Sequence, residues 1–89
     1  MKYKTKLIAE IEVLMETPLS SVLAHQLSKY KESIANLASL DELCIANKKF
    51  GRFLVDSFNW EDPFFKKCSE IHRMGLNMEH VLREQETGK

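Results

Sequence analysis

Cys68 and His72 are the pair of residues whose spacing most resembles a metal site. They stand four positions apart, so on a helix both side chains lie on nearly the same face, as two ligands of one ion must. A tetrahedral site needs two further ligands, which Cys44, His25, His80 or a carboxylate would have to supply from elsewhere. Cys68, however, falls inside an apolar stripe, where a free Cys acts as a small hydrophobe. We therefore expect no metal and no other cofactor.

Acidic pairs and serines offer little for catalysis. Adjacent carboxylates occur at Asp41-Glu42 and at Glu61-Asp62, but both pairs lie beside predicted helix starts, where carboxylates cap free N–H groups and complement the helix dipole. The sequence contains no Gly-x-Ser-x-Gly elbow, no glycine-rich phosphate loop and no His-Glu-x-x-His motif. The short breaks between segments also leave few loops that could build a pocket. We expect a protein without catalytic function.

A group of cations between positions 48 and 67 supports one alternative, namely nucleic-acid binding by a dimer that assembles a basic patch. The group consists of Lys48, Lys49, Arg52, Lys66 and Lys67. However, the 13 Lys and Arg residues of the chain are balanced by 13 Asp and Glu residues. Proteins that neutralise many phosphates carry a marked basic excess. Nucleic-acid association is therefore the alternative and not the main prediction.

Aromatic residues are concentrated around one junction of the chain. Six of the eight fall within sixteen positions, and these six are Phe50, Phe53, Phe58, Trp60, Phe64 and Phe65. On a helix Phe65 is turned about 100° from Phe64, and Trp60 belongs to a predicted loop, so one apolar face cannot bury all six. One interpretation is a hydrophobic plug that closes an end of the fold. The other is a surface that binds another protein.

The binding interpretation defines the main functional prediction. Aromatic side chains concentrate binding energy at interfaces, and a charged rim sets the orientation of the partner. The predicted partner-binding residues are Phe53, Trp60, Glu61, Asp62, Phe65, Lys66 and Lys67. We expect a small protein–protein interaction module that acts as a regulator, inhibitor, adaptor or immunity-type protein.

A second surface is predicted on the third helical segment, where Cys44, Ile45 and Val55 fall off the main apolar stripe. A small monomer normally places polar groups at such positions, and a helix that is apolar over more than half its circumference is usually covered on two sides. Pairing about a two-fold axis is the commonest way to cover it. We therefore predict a homodimer. A structural subunit that associates beyond a dimer is a further alternative.

Four amphipathic segments must position these residues, and capping signals separate them. The first segment starts near position 3 and ends at Thr17 and Pro18. The same two residues are predicted to begin the second segment, with Thr17 as its N-cap and Pro18 as its first helical residue. Ser39 and Glu42 have the spacing of a capping box that starts the third segment, although one uninterrupted helix across this point is an alternative. Pro63, with Asp62 as its N-cap, begins the fourth.

Apolar residues recur at helical spacing in every segment. The predicted stripes are Tyr3, Leu7, Ile11 and Leu14; Leu19, Val22, Leu23, Leu27, Tyr30, Ile34 and Leu37; Leu40, Leu43, Ala46, Phe50, Leu54 and Phe58; and Phe64, Cys68, Ile71, Gly75, Met78 and Leu82. Gly75 predicts the close approach of another helix, with a break before Asn77 as the alternative. Such stripes can be buried only against one another. We predict a single all-α domain over residues 1–89, a compact up-and-down bundle of about four helices with a polar tail from about residue 85.

Cysteine content and hydropathy indicate the compartment. The chain has two Cys residues, which do not make the disulfide framework that small secreted domains need, so we expect free thiols in the cytoplasm. No apolar run is long enough to span a bilayer. Glu10, Glu12 and Glu16 interrupt the segment that superficially resembles a signal peptide. We expect no membrane association.

Overall fold

Four helices contain most of the residues that the structure describes. The computed structural model describes residues 2–18, 20–57 and 63–87. The helices are α1 (Lys2–Met15), α2 (Ser21–Ala35), α3 (Leu40–Ser57) and α4 (Pro63–Thr87), and no strand occurs in these ranges. The predicted all-α bundle is confirmed. No helix in the described ranges combines the length and the apolarity that crossing a membrane requires.

Serine side chains start the second and third helices. Ser20 is the N-cap of α2, and its Oγ accepts a hydrogen bond from the N–H of Leu23 at 3.2 Å. At α3, Ser39 Oγ accepts from the N–H of Glu42 at 3.3 Å, while the Glu42 carboxylate accepts from the N–H of Ala38 at 2.6 Å. The capping box is therefore present, with its return bond displaced by one residue. Because the box forms, the chain breaks between α2 and α3.

Thr17 belongs to the end of α1 and not to the start of α2. Its hydroxyl donates to the backbone oxygen of Leu14 at 2.6 Å, which satisfies one of the carbonyls left free at a helix C-terminus. The predicted start of α2 at Pro18 was wrong, because a Thr hydroxyl can serve either helix end and Ser20 is the better placed cap. Val22, predicted to be buried, lies in the first turn of α2 and is 61% exposed.

Apolar side chains from all four helices meet in one core. Its buried members are Leu7, Ile11, Leu14, Leu23, Leu27, Tyr30, Ile34, Leu43, Ala46, Phe50, Leu54, Cys68, Ile71 and Met78. These positions follow the predicted stripes. Tyr3 departs from them and stays 49% exposed at the start of α1, and Leu19 and Phe58 lie outside the described residues.

The helices form a closed ring in which each packs against its neighbours in sequence and α1 packs against α4. The hydrogen bonds between α3 and α4 give their relative direction. Asn47 bonds to Gly75, whereas Cys44, one turn earlier in α3, meets Arg83, two turns later in α4. The two helices therefore run antiparallel, as the up-and-down arrangement requires.

The last helix runs for 25 residues without a break. It passes through Gly75, so the alternative of a break before Asn77 does not occur. It also continues from Gln85 to Thr87, where we predicted a polar tail, because neither Gly nor Pro occurs between Leu76 and Thr87.

Candidate functional site

The predicted docking surface surrounds the connection between α3 and α4. Its central members Trp60, Glu61 and Asp62 lie outside the described residues. Phe53, in the last turns of α3, and Phe65, in the first turn of α4, are half-buried and pack against the core. These two rings therefore contribute to closing the bundle and present only part of their surface to a partner.

The predicted basic patch is divided among three grooves. Lys48 and Arg52 line a groove between α3 and α4, Lys49 lines one between α2 and α3, and Lys67 lines one between α1 and α4. Lys66, beside Lys67, is exposed. The fold therefore does not gather these five cations on one face of a single chain.

Cys68 and His72 do not act as a pair. Cys68 is fully buried in the core. His72 turns toward α3, where its Nε2 donates to the backbone oxygen of Asn47 at 3.0 Å. The His72 ring lies over Gly51, at which an added Cβ would come within 2.7 Å of Nε2. Within the described ranges, no three metal-ligating side chains come together.

Two of the three predicted dimer residues, Ile45 and Val55, lie on the side of α3 that faces away from the core, whereas Cys44 is turned toward α4 and contacts Arg83. Ile45 and Val55 are 53% and 80% exposed, and Cys44 is half-buried. At 100° per residue, Ile45 and Val55 are about 80° apart around the helix. Helix α3 is thus apolar on part of its outer side as well as on its core side.

A groove between α2 and α3 is a concave surface that the sequence did not predict. A cavity of about 420 Å³ continues into one of about 110 Å³, and the two share Lys29, Ser33, Ala46 and Lys49. Ala46 is 8% exposed and lies at the base of the groove, and the small Ser33 leaves space above it. Lys29 from α2 and Lys49 from α3 line opposite walls, and Ile45 adds an apolar rim. We call this surface the α2–α3 groove.

Asn47 is the centre of a buried hydrogen-bond network, and among the described residues it is the one polar side chain in the core, at 1% exposure. Its Oδ1 accepts from the Tyr30 hydroxyl at 2.5 Å. Its Nδ2 donates to the backbone oxygen of Gly75 at 3.0 Å and to Glu79 Oε1 at 3.1 Å. Each polar atom of the amide therefore has a partner, as a buried amide requires. The network joins α2, α3 and α4.

The outer end of the network reaches the surface. Arg83 Nη2 donates to Glu79 Oε2 at 3.1 Å and to Cys44 Sγ at 3.2 Å. Partial burial opposes ionisation of Glu79, but hydrogen bonds from Asn47, Arg83 and Cys44 outweigh it and lower the pKa of that carboxyl. Burial, together with the nearby Glu79, raises the pKa of the Tyr30 hydroxyl and of the Cys44 thiol. At neutral pH these groups are a carboxylate, a phenol and a thiol, which are the states that the network needs.

Substituting Glu79 with glutamine is expected to reduce the acid sensitivity of the fold. A carboxyl whose pKa is lower in the folded than in the unfolded state stabilises the fold fully above the unfolded value, about 4.3 for Glu. The contribution is lost as the pH falls through the folded value. Urea unfolding followed by circular dichroism from pH 7 downward should therefore show a steeper loss below about pH 4 for the wild type than for Glu79→Gln. Glu70→Gln, an exposed change on the same helix, is the control. Equal pH dependence in the wild type and Glu79→Gln would contradict the role of this carboxylate.

Two features of these sites were not predicted. Asn47 stands four residues after Leu43 and seven before Leu54, so helical spacing alone places it in the buried stripe, and this is a signal that could have found it. The α2–α3 groove has no such signal, because the pairing of Ser33 with Ala46 depends on how the two helices are aligned.

Comparison of this chain with protein-family models, with curated proteins and with solved structures found no match in any of the three. Its function must therefore be argued from its own surfaces.

Proposed function

We propose that this chain is a small non-catalytic interaction module that works as a regulator, inhibitor, adaptor or immunity-type protein by occupying a surface of another protein. The α2–α3 groove is the observation that carries the proposal. It combines an apolar part, formed by Ala46 and Ile45, with charged walls of both signs. The charged residues are Lys29, Glu32, Glu42 and Lys49. Protein interfaces have this combination of an apolar centre and a polar rim.

The dimensions and charges of the groove favour one kind of partner segment. The groove extends along α2 from Gln26 to Asn36, a rise of about 15 Å, which is close to three helical turns. An amphipathic helix can lay an apolar face into a groove of this length. Each wall carries both signs of charge, with Lys29 and Glu32 on α2 and Lys49 and Glu42 on the α3 side. A partner helix with both acidic and basic side chains beside its apolar face would therefore complement the groove.

The aromatic end of the bundle extends this proposed surface. Phe50 lines the groove, and Phe53, one turn further along α3, stacks beside it with ring centroids 6.5 Å apart. Phe53, one of the predicted docking residues, therefore lies beside the groove. In this proposal Trp60 and Phe65 provide further apolar contacts, and Lys66 and Lys67 help to orient the partner.

Filling the groove tests the proposal. Ser33→Phe places a large side chain over the base of the groove from an exposed position. Ser28→Phe makes the same change at an exposed position of α2 that does not line it. Tagged wild type and both variants, shown to be folded by circular dichroism, are used for affinity capture from a nuclease-treated lysate of the native host. We expect the wild type and Ser28→Phe to retain a protein that Ser33→Phe loses.

Two results would overturn the proposal. Retention of the same proteins by all three forms would show that the groove is not the docking surface. Capture that depends on intact nucleic acid, whatever residue occupies position 33, would favour the nucleic-acid alternative.

A further inference from the structure

The outer face of α3 carries a second set of exposed residues in a defined pattern. Asp41, Ile45, Lys48, Arg52 and Val55 are all exposed, and at 100° per residue they fall within an arc of about 80°. We call this set the outer stripe. It touches the α2–α3 groove only at Ile45, so an occupant of the stripe would be distinct from the partner proposed above.

The charges of the outer stripe are separated along the helix. Acidic residues occupy the first turn of α3, where Asp41 is found, and the cations Lys48 and Arg52 follow in the second half. A helix with this polarity is complementary to an antiparallel copy of itself, because the acidic end of each meets the basic half of the other. The apolar Ile45 lies between the two charged regions.

We infer that the outer stripe binds the outer stripe of a second copy of this chain, with the two α3 helices antiparallel about a two-fold axis. The register that pairs opposite charges places Asp41 against Arg52 of the partner subunit, twice by symmetry. In that register Ile45 faces Lys48 of the partner subunit. The two Ile45 side chains are then offset by three residues, or about 4.5 Å along the axis, so they can touch, and the two Lys48 side chains have the same offset, with their flexible stems beside the isoleucines.

A competing register is disfavoured by charge. Sliding the copies until Ile45 meets Val55 of the partner subunit also places Lys48 against Arg52 of the partner subunit, twice. Four cations would then crowd the centre of the contact, compared with the two Lys48 side chains in the first register, and like charges placed together at an interface weaken association. The charge pattern therefore selects the register that pairs Asp41 with Arg52.

The contacts of Arg52 within its own chain leave it available to pair with Asp41 of the partner subunit. Arg52 lies 3.7 Å from Asp56, but both side chains are largely exposed, at 86% and 64%. An exposed pair of this kind contributes little to stability, so it does not hold Arg52 in place. One pair of 18-residue helices forms a small interface, and small interfaces belong to weak, transient complexes. We expect a dissociation constant on the order of tens of micromolar.

Charge reversal tests the pairing. Sedimentation over a micromolar concentration series should show a monomer–dimer equilibrium for the wild type. Asp41→Arg and Arg52→Asp should each weaken it about tenfold or more, because each creates two like-charge contacts. An equimolar mixture of the two variants should dimerise again. The introduced arginine of one chain then faces the introduced aspartate of the other, while the native Arg52 and Asp41 face each other.

The mixture is also a control for folding, because two misfolded variants would not associate when they are mixed. Arg73→Asp makes the same charge change at an exposed position of α4 and should dimerise like the wild type. A wild type that stays monomeric throughout the series, a mixture no tighter than the single variants, or species larger than a dimer would overturn the inference. Any of these results leaves the capture test of the α2–α3 groove unaffected, because that test scores a different protein on a different face.

Discussion

Gly75→Ala is expected to destabilise the bundle by about 2 to 3 kcal/mol, although alanine is the better helix former by about 1 kcal/mol. An added Cβ would overlap the Tyr30 hydroxyl and lie 2.6 Å from Asn47 Oδ1. Neither group can move away easily. The Tyr30 ring is 4% exposed and stacks on Phe50 with centroids 4.4 Å apart, so relief of the overlap requires breaking the buried hydrogen bond or separating α2 from α4.

Gly51→Ala is the matched control for this change. Its Cβ would meet the His72 ring, 2.7 Å from Nε2, but His72 is only half-buried and can rotate toward the adjacent groove, where water replaces its hydrogen bond to the backbone oxygen of Asn47. The gain in helix propensity then offsets the cost of this contact. We expect the free energy of unfolding to change by no more than about 1 kcal/mol. Urea unfolding followed by circular dichroism measures both. Equal stability of Gly75→Ala and the wild type, or an equal loss in the two variants, would contradict the close approach at Gly75.

Asn47→Ala is expected to cost about 2 to 3 kcal/mol through the loss of three hydrogen bonds, one of which reaches the backbone oxygen of Gly75. The Tyr30 hydroxyl would be left buried without its acceptor, which costs about 1 to 3 kcal/mol. Glu79 would also lose a hydrogen bond that favours its ionised form. The same urea experiment measures the effect.

A double-mutant cycle with Tyr30→Phe separates the pair from its surroundings. Tyr30→Phe removes the hydroxyl and leaves Asn47 Oδ1 unpaired, whereas the double variant removes both partners. The two changes should therefore cost less together than the sum of the single effects, with a coupling of about 1 kcal/mol. Strict additivity would show that the Tyr30 hydroxyl and the Asn47 amide do not depend on each other.

Most of the fold could be predicted from local patterns. The stripe of α4 through Cys68, Ile71 and Met78 is buried as predicted, because helical spacing and burial follow the same period. Gly75 was correctly interpreted as a site of close approach. Helix starts were less predictable, as Thr17 shows, because one hydroxyl can serve two neighbouring ends.

The candidate sites were harder to predict, for physical reasons. A hydrogen bond such as that between Tyr30 and Asn47 joins residues 17 positions apart on two helices whose alignment no single segment contains. The α2–α3 groove exists because Ser33 and Ala46 lie across from each other, and neither residue is unusual in its own helix. Phe53 stacks on Phe50, and the spacing of the aromatic residues in the sequence could not say how far the rings of Phe53 and Phe65 pack into the core.

The closed ring of helices has a kinetic consequence. The ring has four helix–helix interfaces, which we call seams. Three of them join helices that follow one another in the chain, so they close over short loops. Only the seam between α1 and α4 brings distant segments together. Contacts between distant segments cost more loop-closure entropy and form more slowly. We therefore expect the α1–α4 seam to close last during folding and to open first in the native state, with amide exchange at Leu7 and Ile11 faster than at Asn47. Opening of α1 would expose the buried side of α4 around Ile71. The surface that we expect to be exposed transiently is therefore apolar.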